Sequence, residues 1–220
     1  FAISLVLLFR RWESLASSKT LTSWLSREGL FLLNNLLFMG ILITCFWGVI
    51  YPLVSEIITG QKVTVGPPYY ERTTGPQFAA LLFLMGIVPL VAWRITTVNR
   101  LGHLIWKPTL ISLVIPLISM ISGITNFAAL LSLWLASLVF CVTIYEFYRG
   151  AIARSKSSGK NFYVSMWLLI SRNRRRYGGY IVHLGIVFMA VGIIGVEMFQ
   201  TETQGTLALD ERLNLDEYSL

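Results

Sequence analysis

The chain has 220 residues, of which 55% are hydrophobic and 13% charged, and its mean hydropathy is +0.67. Because a soluble domain carries about 25% charged residues, this composition excludes an ordinary globular enzyme and indicates a polytopic membrane protein. The net charge of +7 comes without a nucleic-acid-binding motif, so we assign it to membrane topology and anionic lipid contact, not to nucleic acid.

Six apolar stretches predict membrane spans in chain order. The first, residues 1–9, is shorter than the roughly 20 apolar residues that a span needs, and we expect it to be the truncated end of a transmembrane helix. The other five are predicted at about residues 30–54, 78–93, 104–121, 127–147 and 177–196. Prolines inside them free backbone carbonyls that neighbouring helices must satisfy. The sequence therefore predicts an all-α integral membrane protein, a polytopic helical bundle of about six spans.

Three segments outside the spans show other patterns. Residues 55–76 contain a double proline, which we expect to prevent a helix, and residues 62–65 favour a short strand. Residues 160–171 are apolar and aromatic between basic runs, which indicates an interfacial helix, with a re-entrant element as the alternative. Residues 201–220 are polar and acidic. We expect the transmembrane bundle to occupy residues 1–200 and a soluble outer domain, with some β-structure, to start within residues 201–220.

Basic residues are divided unevenly between alternate loops. Fifteen of the eighteen lysines and arginines fall on one side of the predicted spans, and Lys62, Arg72 and Arg212 fall on the other. The positive-inside rule places the basic loops in the cytoplasm. Residues 201–220 and the loop within residues 55–76 are then expected on the outer, periplasmic side.

A single histidine, His183, interrupts the apolar run of the last span, RRRYGGYIVHLGIVFMAVGIIG (174–195). Ionisable residues in spans are costly and usually functional, and imidazole is a common metal and haem ligand. Gly179, Val187 and Ala190 share its helical face, and the two small residues leave room for a flat ring. Three interpretations stay open from these residues: a hydrogen-bonded histidine bridging two helices, a haem or metal ligand, and a proton relay.

Other polar residues in or near the spans are weaker candidates. His103 lies at the cytoplasmic border, where we expect an interfacial role, although its pairing with the histidine of the last span stays open. Asn34 and Asn35 are expected to hydrogen-bond across helices, with a cofactor contact as the alternative. Glu146 and Glu197 lie at span ends, where we expect water to reach them.

The sequence carries no catalytic constellation of its own. Cys45 and Cys141 lie in apolar runs without a CxxC or CxxCH pattern, which indicates packing and not thiol chemistry or covalent haem attachment. It contains no recognisable nucleophile–base pair, phosphate loop or carboxylate dyad. Any chemistry in this chain is therefore expected to belong to a bound cofactor.

Four blocks resemble the C-terminal half of the CcmF family, cytochrome c maturation proteins of the haem-lyase complex. They are SREGLFLLNNLLF (26–38), the segment from YPLV to TTGP (51–76), MGIVPLVAWR (85–94) and RRRYGGYIVHLGI (174–186). The resemblance implies an enzyme component, a cytochrome c haem lyase that attaches haem to the CxxCH cysteines of apocytochrome c. It implies a bacterial or organellar inner membrane. Its implied partners are a haem chaperone, a thiol-reducing maturation protein and apocytochrome c, with quinol as the candidate electron donor.

The resemblance also implies that the family's membrane haem b is held by two transmembrane histidines, one of which corresponds to His183. The second axial histidine, the tryptophan-rich WWD motif and the two histidines that handle incoming haem have no counterpart here. We expect them upstream of Phe1 or on another subunit, and we expect this segment alone to be inactive. Two rival functions remain: a cytochrome b-type membrane electron-transfer subunit, and a cofactor-free transporter or scaffold.

Overall fold

A computed structural model describes residues 2–15, 26–61, 63–91, 98–199, 214–215 and 218–219 of the chain. The helices among these residues are α1 (Ala2–Arg10), α2 (Trp12–Leu15), α3 (Arg27–Thr59), α4 (Pro67–Ile87), α5 (Val98–Ser112), α6 (Val114–Ile121), α7 (Phe127–Ser158), α8 (Phe162–Arg172) and α9 (Arg174–Phe199). A short 3₁₀ turn, Val88–Leu90, follows α4. Two short strands, β1 (Asn214–Leu215) and β2 (Tyr218–Ser219), pair antiparallel.

Five helical segments are long and apolar enough to cross a membrane. They are Glu28–Thr59, Pro67–Leu90, Leu101–Ile121, Phe127–Ser158 and Arg174–Glu197. They match the five complete spans that the sequence predicts, and α1 lies where the partial first span is predicted. The prediction of an all-α, polytopic integral membrane protein is therefore confirmed.

The chain divides into two compact units, one formed by Phe1–Gln77 with Val91–Gly102 and the other by Phe78–Leu90 with His103–Leu220. In the first unit, α3 and α4 approach closely along small residues. A methyl group added at Gly48 would lie 2.6 Å from the hydroxyl of Tyr70. The hydroxyl of Tyr69 donates to the carbonyl of Thr44 at 3.3 Å. Small residues at such contacts let two membrane helices pack backbone against side chain.

The double proline starts a helix instead of preventing one. Helix α3 continues to Thr59 and ends at Gly60, which adopts the left-handed conformation with φ 69°. Helix α4 then begins at Pro67 and continues through Pro68. The expectation of a non-helical segment here is wrong because the first-turn N–H groups of a helix have no intrahelical partner, so proline loses nothing there.

The remaining local predictions have mixed outcomes. Residues 63–65 have no regular secondary structure, so the short strand is wrong there, and Lys62 lies outside the described residues. Helix α8 confirms that residues 160–171 are mostly helical, while their interfacial position stays a prediction. Within the tail, β1 and β2 supply β-structure, and the rest of residues 201–220 lies outside the described residues.

In the second unit, α6 and α7 meet at a carbonyl freed by proline. Pro116 in α6 has no N–H, so it cannot donate to the carbonyl of Ser112, four residues earlier. The hydroxyl of Ser137 on α7 donates to that carbonyl at 2.8 Å, and Ser137 is only 3% exposed. For this proline, the prediction that a neighbouring helix satisfies the freed carbonyl is confirmed.

Helices α7 and α9 form the core of the same unit. Phe147 packs with Tyr177 and Tyr180, while Val139 packs with Val187. Because later residues of α7 meet earlier residues of α9, the two helices run antiparallel. The C-terminal part of α7 therefore lies beside the N-terminal part of α9, where the arginine run and the last-span histidine are found.

Candidate functional site

A buried carboxylate lies between α7 and α9. The side chain of Glu146 is 5% exposed and accepts from the Nη2 atom of Arg176 at 2.9 Å and from the Nη1 atom of Arg149 at 3.4 Å. The hydroxyl of Tyr180 donates to the same carboxylate at 3.5 Å and accepts from the Nε atom of Arg176 at 3.2 Å. We call these four residues the Glu146 cluster. Two guanidinium groups and one carboxylate leave it with one formal positive charge.

Arg176 is held in place yet remains accessible. Its guanidinium lies 5.8 Å from the ring centroids of both Tyr177 and Tyr180, and cations are attracted to aromatic faces at such distances. The side chain is nevertheless 56% exposed. Its Nη1 atom makes no hydrogen bond among the described residues, so this guanidinium can bind a further anion without leaving Glu146.

His183 lies one helical turn beyond Tyr180 on α9, with 6.3 Å between the two ring centroids. The residue is partly buried. Its Nδ1 atom is buried and has no hydrogen-bond partner among the described residues. An unpaired buried polar atom typically costs about 1–3 kcal/mol. Within the described part of the chain, His183 therefore does not act as a hydrogen-bonded bridge between two helices.

The space beside His183 is open on one flank and packed on the other. Val187, one turn further along α9, is 4% exposed and packs against α7. Gly179, one turn earlier, has no neighbouring atom within 4 Å of where a Cβ would stand. The imidazole thus lies at the edge of the α7–α9 contact, beside open space at the exposed Gly179, which we call the gap. An imidazole ligand next to a glycine-lined gap fits the axial side of a flat metalloporphyrin.

The other predicted polar candidates do not join this site. His103 is exposed on α5 and has no ring contact or hydrogen bond with His183 among the described residues. Asn34 is partly buried and Asn35 is exposed, and the cross-helix hydrogen bonds predicted for them do not form within the described part of the chain. Glu197 is exposed near the end of α9, in agreement with its prediction.

Cys45 and Cys141 are free and partly buried, which agrees with a packing role. In the described ranges, no three His, Cys, Asp or Glu side chains come together as a metal-binding group.

The Glu146 cluster is the feature that sequence reasoning misses. Glu146 is predicted to reach water, and this is wrong because the antiparallel contact with α9 buries its side chain. The only signal in the sequence is that a carboxylate near a span needs a cation, and the arginine run offers several. Thirty residues separate Glu146 from Arg176, so the choice of partner depends on how the helices dock.

The first unit contains a concave surface. An open cleft of about 320 Å³ is formed by α3, the loop after it and the start of α4. Its lining includes Trp47, Tyr51 and Tyr69, and the first two rings lie 6.1 Å apart. Five of its seven lining residues lie in the segment 51–76, one of the four blocks that carry the family resemblance.

The chain is similar to known cytochrome c biogenesis proteins over most of its length. It is 29% identical to cytochrome c-type biogenesis protein CcmF of Pseudomonas fluorescens over 212 residues, and this alignment covers 96% of this chain and 31% of that protein. It is 26% identical to CycK of Rhizobium meliloti over 200 residues, which are 89% of this chain and 28% of that protein. It is 22% identical to CcmF of Escherichia coli over 221 residues, which are 98% of this chain and 31% of that protein.

No family model and no solved structure matches the chain. The chain spans about a third of the length of the curated relatives it matches. The resemblance to CcmF-type cytochrome c biogenesis proteins is confirmed.

Proposed function

We propose that this chain is a transmembrane part of a CcmF-type haem lyase acting in cytochrome c maturation, with His183 as one axial ligand of a haem b. The placement of His183 carries the proposal. This partly buried imidazole lies in a block that resembles the family, with Nδ1 unpaired among the described residues and a gap at Gly179. Similarity to cytochrome c biogenesis proteins over most of the chain supports the maturation role.

On this proposal, His183 binds in its neutral form, so that ligation brings no net charge from the side chain into the membrane. Gly179 keeps the adjacent space free for a flat ring. The apolar residues of α9 exclude water, and the polarity around a metal group sets its redox potential. When bound, haem b would supply one-electron transfer. A second histidine, from outside these 220 residues, would complete the ligation.

The proposed orientation places the basic loops in the cytoplasm and residues 201–220 in the periplasm, where an outer domain begins after the bundle of residues 1–200. The antiparallel packing of α7 and α9 supports a single basic end, since it brings Arg149 beside Arg176. On the periplasmic side we place the contacts with the haem chaperone, the thiol-reducing partner and apocytochrome c. Quinol is the proposed electron donor, and anionic lipids are the proposed neighbours of the basic end.

The test compares His183→Ala with His103→Ala in the protein purified from membranes. His103 is a matched control because it is the other histidine of the chain and is exposed. We expect His183→Ala to lose haem b, measured as pyridine haemochrome, and to abolish covalent haem attachment to cytochrome c. His103→Ala should retain both. In His183→Gly, added imidazole should restore the haem spectrum, which separates lost ligation from misfolding.

Each contrary result has its own meaning. Full haem occupancy in His183→Ala overturns the ligand assignment. Loss of haem with normal cytochrome c assembly favours a cytochrome b-type electron-transfer subunit. A purified wild-type protein without a Soret band favours a cofactor-free transporter or scaffold.

A further inference from the structure

We propose that Arg176 forms a carboxylate subsite for the porphyrin propionates, so that α9 binds haem at two points, the iron at His183 and a propionate at Arg176. This inference rests on the proposed function, because it needs haem at His183. It adds a second recognition element that distinguishes a porphyrin dicarboxylic acid from its ester. The Glu146 cluster thereby becomes part of haem recognition in addition to its role in helix packing.

The spacing along α9 is the first support. Arg176 and His183 are seven residues apart, which is two helical turns, so both side chains leave the same face of the helix. The rise between them is about 10 Å, comparable with the reach from the centre of a porphyrin to the end of a propionate arm. Gly179 lies between them on that face, and no atom stands within 4 Å of a Cβ there. On the side away from Tyr180, the helix therefore presents a cation, open space at Gly179 and an imidazole.

The charge of the cluster is the second support. Glu146 is buried and paired with two arginines, so one positive charge remains for an external anion. Arg176 has Nη2 bound to Glu146 and Nε bound to Tyr180, while Nη1 is unpaired among the described residues. A guanidinium binds carboxylates through planar, charge-assisted hydrogen bonds. Glu146 and Tyr180 hold this guanidinium in a fixed position before the propionate arrives.

The experiment titrates haem-free protein with protohaem and with protohaem dimethyl ester, following the Soret band. The ester keeps the iron and the ring but has no carboxylate charge. We expect the wild-type protein to bind the acid about 10-fold to 100-fold more tightly than the ester, the range of a charge-assisted hydrogen bond. In Arg176→Gln the acid-to-ester affinity ratio should fall to about one tenth of the wild-type ratio or less. In Arg176→Lys this ratio should lie between those of the wild type and Arg176→Gln.

Arg174→Gln is the matched control. Arg174 belongs to the same arginine run and lies on the opposite face of α9 from His183, where its Nε atom donates to the carbonyl of Ser171. Its acid-to-ester ratio should equal that of the wild type. This control separates a local effect at Arg176 from a general loss of cationic charge, which would affect both arginine variants alike. The ester separates a propionate from a lipid phosphate, because losing a lipid contact leaves the acid-to-ester ratio unchanged.

The outcomes separate this inference from the proposed function. If the wild-type protein binds neither porphyrin, haem ligation at His183 fails and the subsite fails with it. If both porphyrins bind and Arg176→Gln keeps the wild-type ratio, the subsite is wrong while ligation stands. If Arg176→Gln binds neither porphyrin, Arg176→Lys decides: a lowered ratio supports the subsite, and the wild-type ratio overturns it.

Discussion

Replacing Ser137 by alanine tests how the bundle tolerates a proline within a span. The substitution removes the hydroxyl that donates to the carbonyl of Ser112 at 2.8 Å. Pro116 prevents the helix from supplying a donor of its own, and Ser137 is 3% exposed, so water does not easily replace it. The carbonyl of Ser112 is then left without its partner inside the membrane.

The expected cost follows from two ranges. A buried carbonyl without a partner costs about 1–3 kcal/mol, whereas side-chain hydrogen bonds between membrane helices average ~0.6 kcal/mol and reach ~1.7 kcal/mol. The hydroxyl of Ser137 also lies 2.9 Å from the carbonyl of Trp134, so its single proton is shared between two acceptors. We therefore expect Ser137→Ala to lower the free energy of unfolding by about 1–1.5 kcal/mol.

A double-mutant cycle isolates the interaction. Pro116→Ala restores an N–H that can donate to the carbonyl of Ser112, so in that background Ser137→Ala should cost less than about 0.5 kcal/mol. The assay is equilibrium unfolding in mixed micelles, followed by circular dichroism. Ser119→Ala is the control, since Ser119 is partly buried and bonds only its own helix, at the carbonyl of Ile115. An equal cost of Ser137→Ala in both proline backgrounds would refute the reasoning.

Two further predictions concern haem and orientation. Gly179→Leu should fill the gap beside His183 and lower haem occupancy at least tenfold, measured as pyridine haemochrome. Gly185→Leu, on another face of α9 and equally open, should retain the haem. Equal haem occupancy in the two variants would contradict a porphyrin on the Gly179 face. In a chain without native cysteines, Gln61→Cys should react with an impermeant maleimide added on the periplasmic side. Ser157→Cys should react only after the membrane is opened. The reverse labelling pattern would mean that the proposed orientation is inverted.

The membrane spans could be predicted because hydropathy depends on each segment alone. Their ends could not, because a helix can leave the apolar layer without ending. Helix α7 runs to Ser158, eleven residues beyond the predicted span end at Phe147. That extension carries Arg149, Arg154 and Lys156 among polar residues, so its hydropathy falls while its backbone hydrogen bonds continue. The start of α4 was not predicted because proline, which breaks a helix in its interior, does not break one in its first turn.

The candidate site, too, could be predicted from the sequence only in part. His183 could be singled out from sequence because an imidazole in an apolar run is conspicuous by itself. The burial of Glu146 could not, because the direction of a side chain at a span end depends on which helix packs against it. Only the antiparallel contact of α7 with α9 brings Glu146, Arg176 and Tyr180 together, across thirty or more residues of sequence.

The two arginines on Glu146 differ in when they become available as the chain is made. Arg149 follows Glu146 by three residues, so it can neutralise the carboxylate as soon as that turn of helix leaves the ribosome. Arg176 follows thirty residues later, which at roughly 5–20 residues per second is a delay of about 2–6 seconds. The 3.4 Å contact within α7 can therefore form before α9 is made, and the 2.9 Å contact joins it once α9 packs against α7.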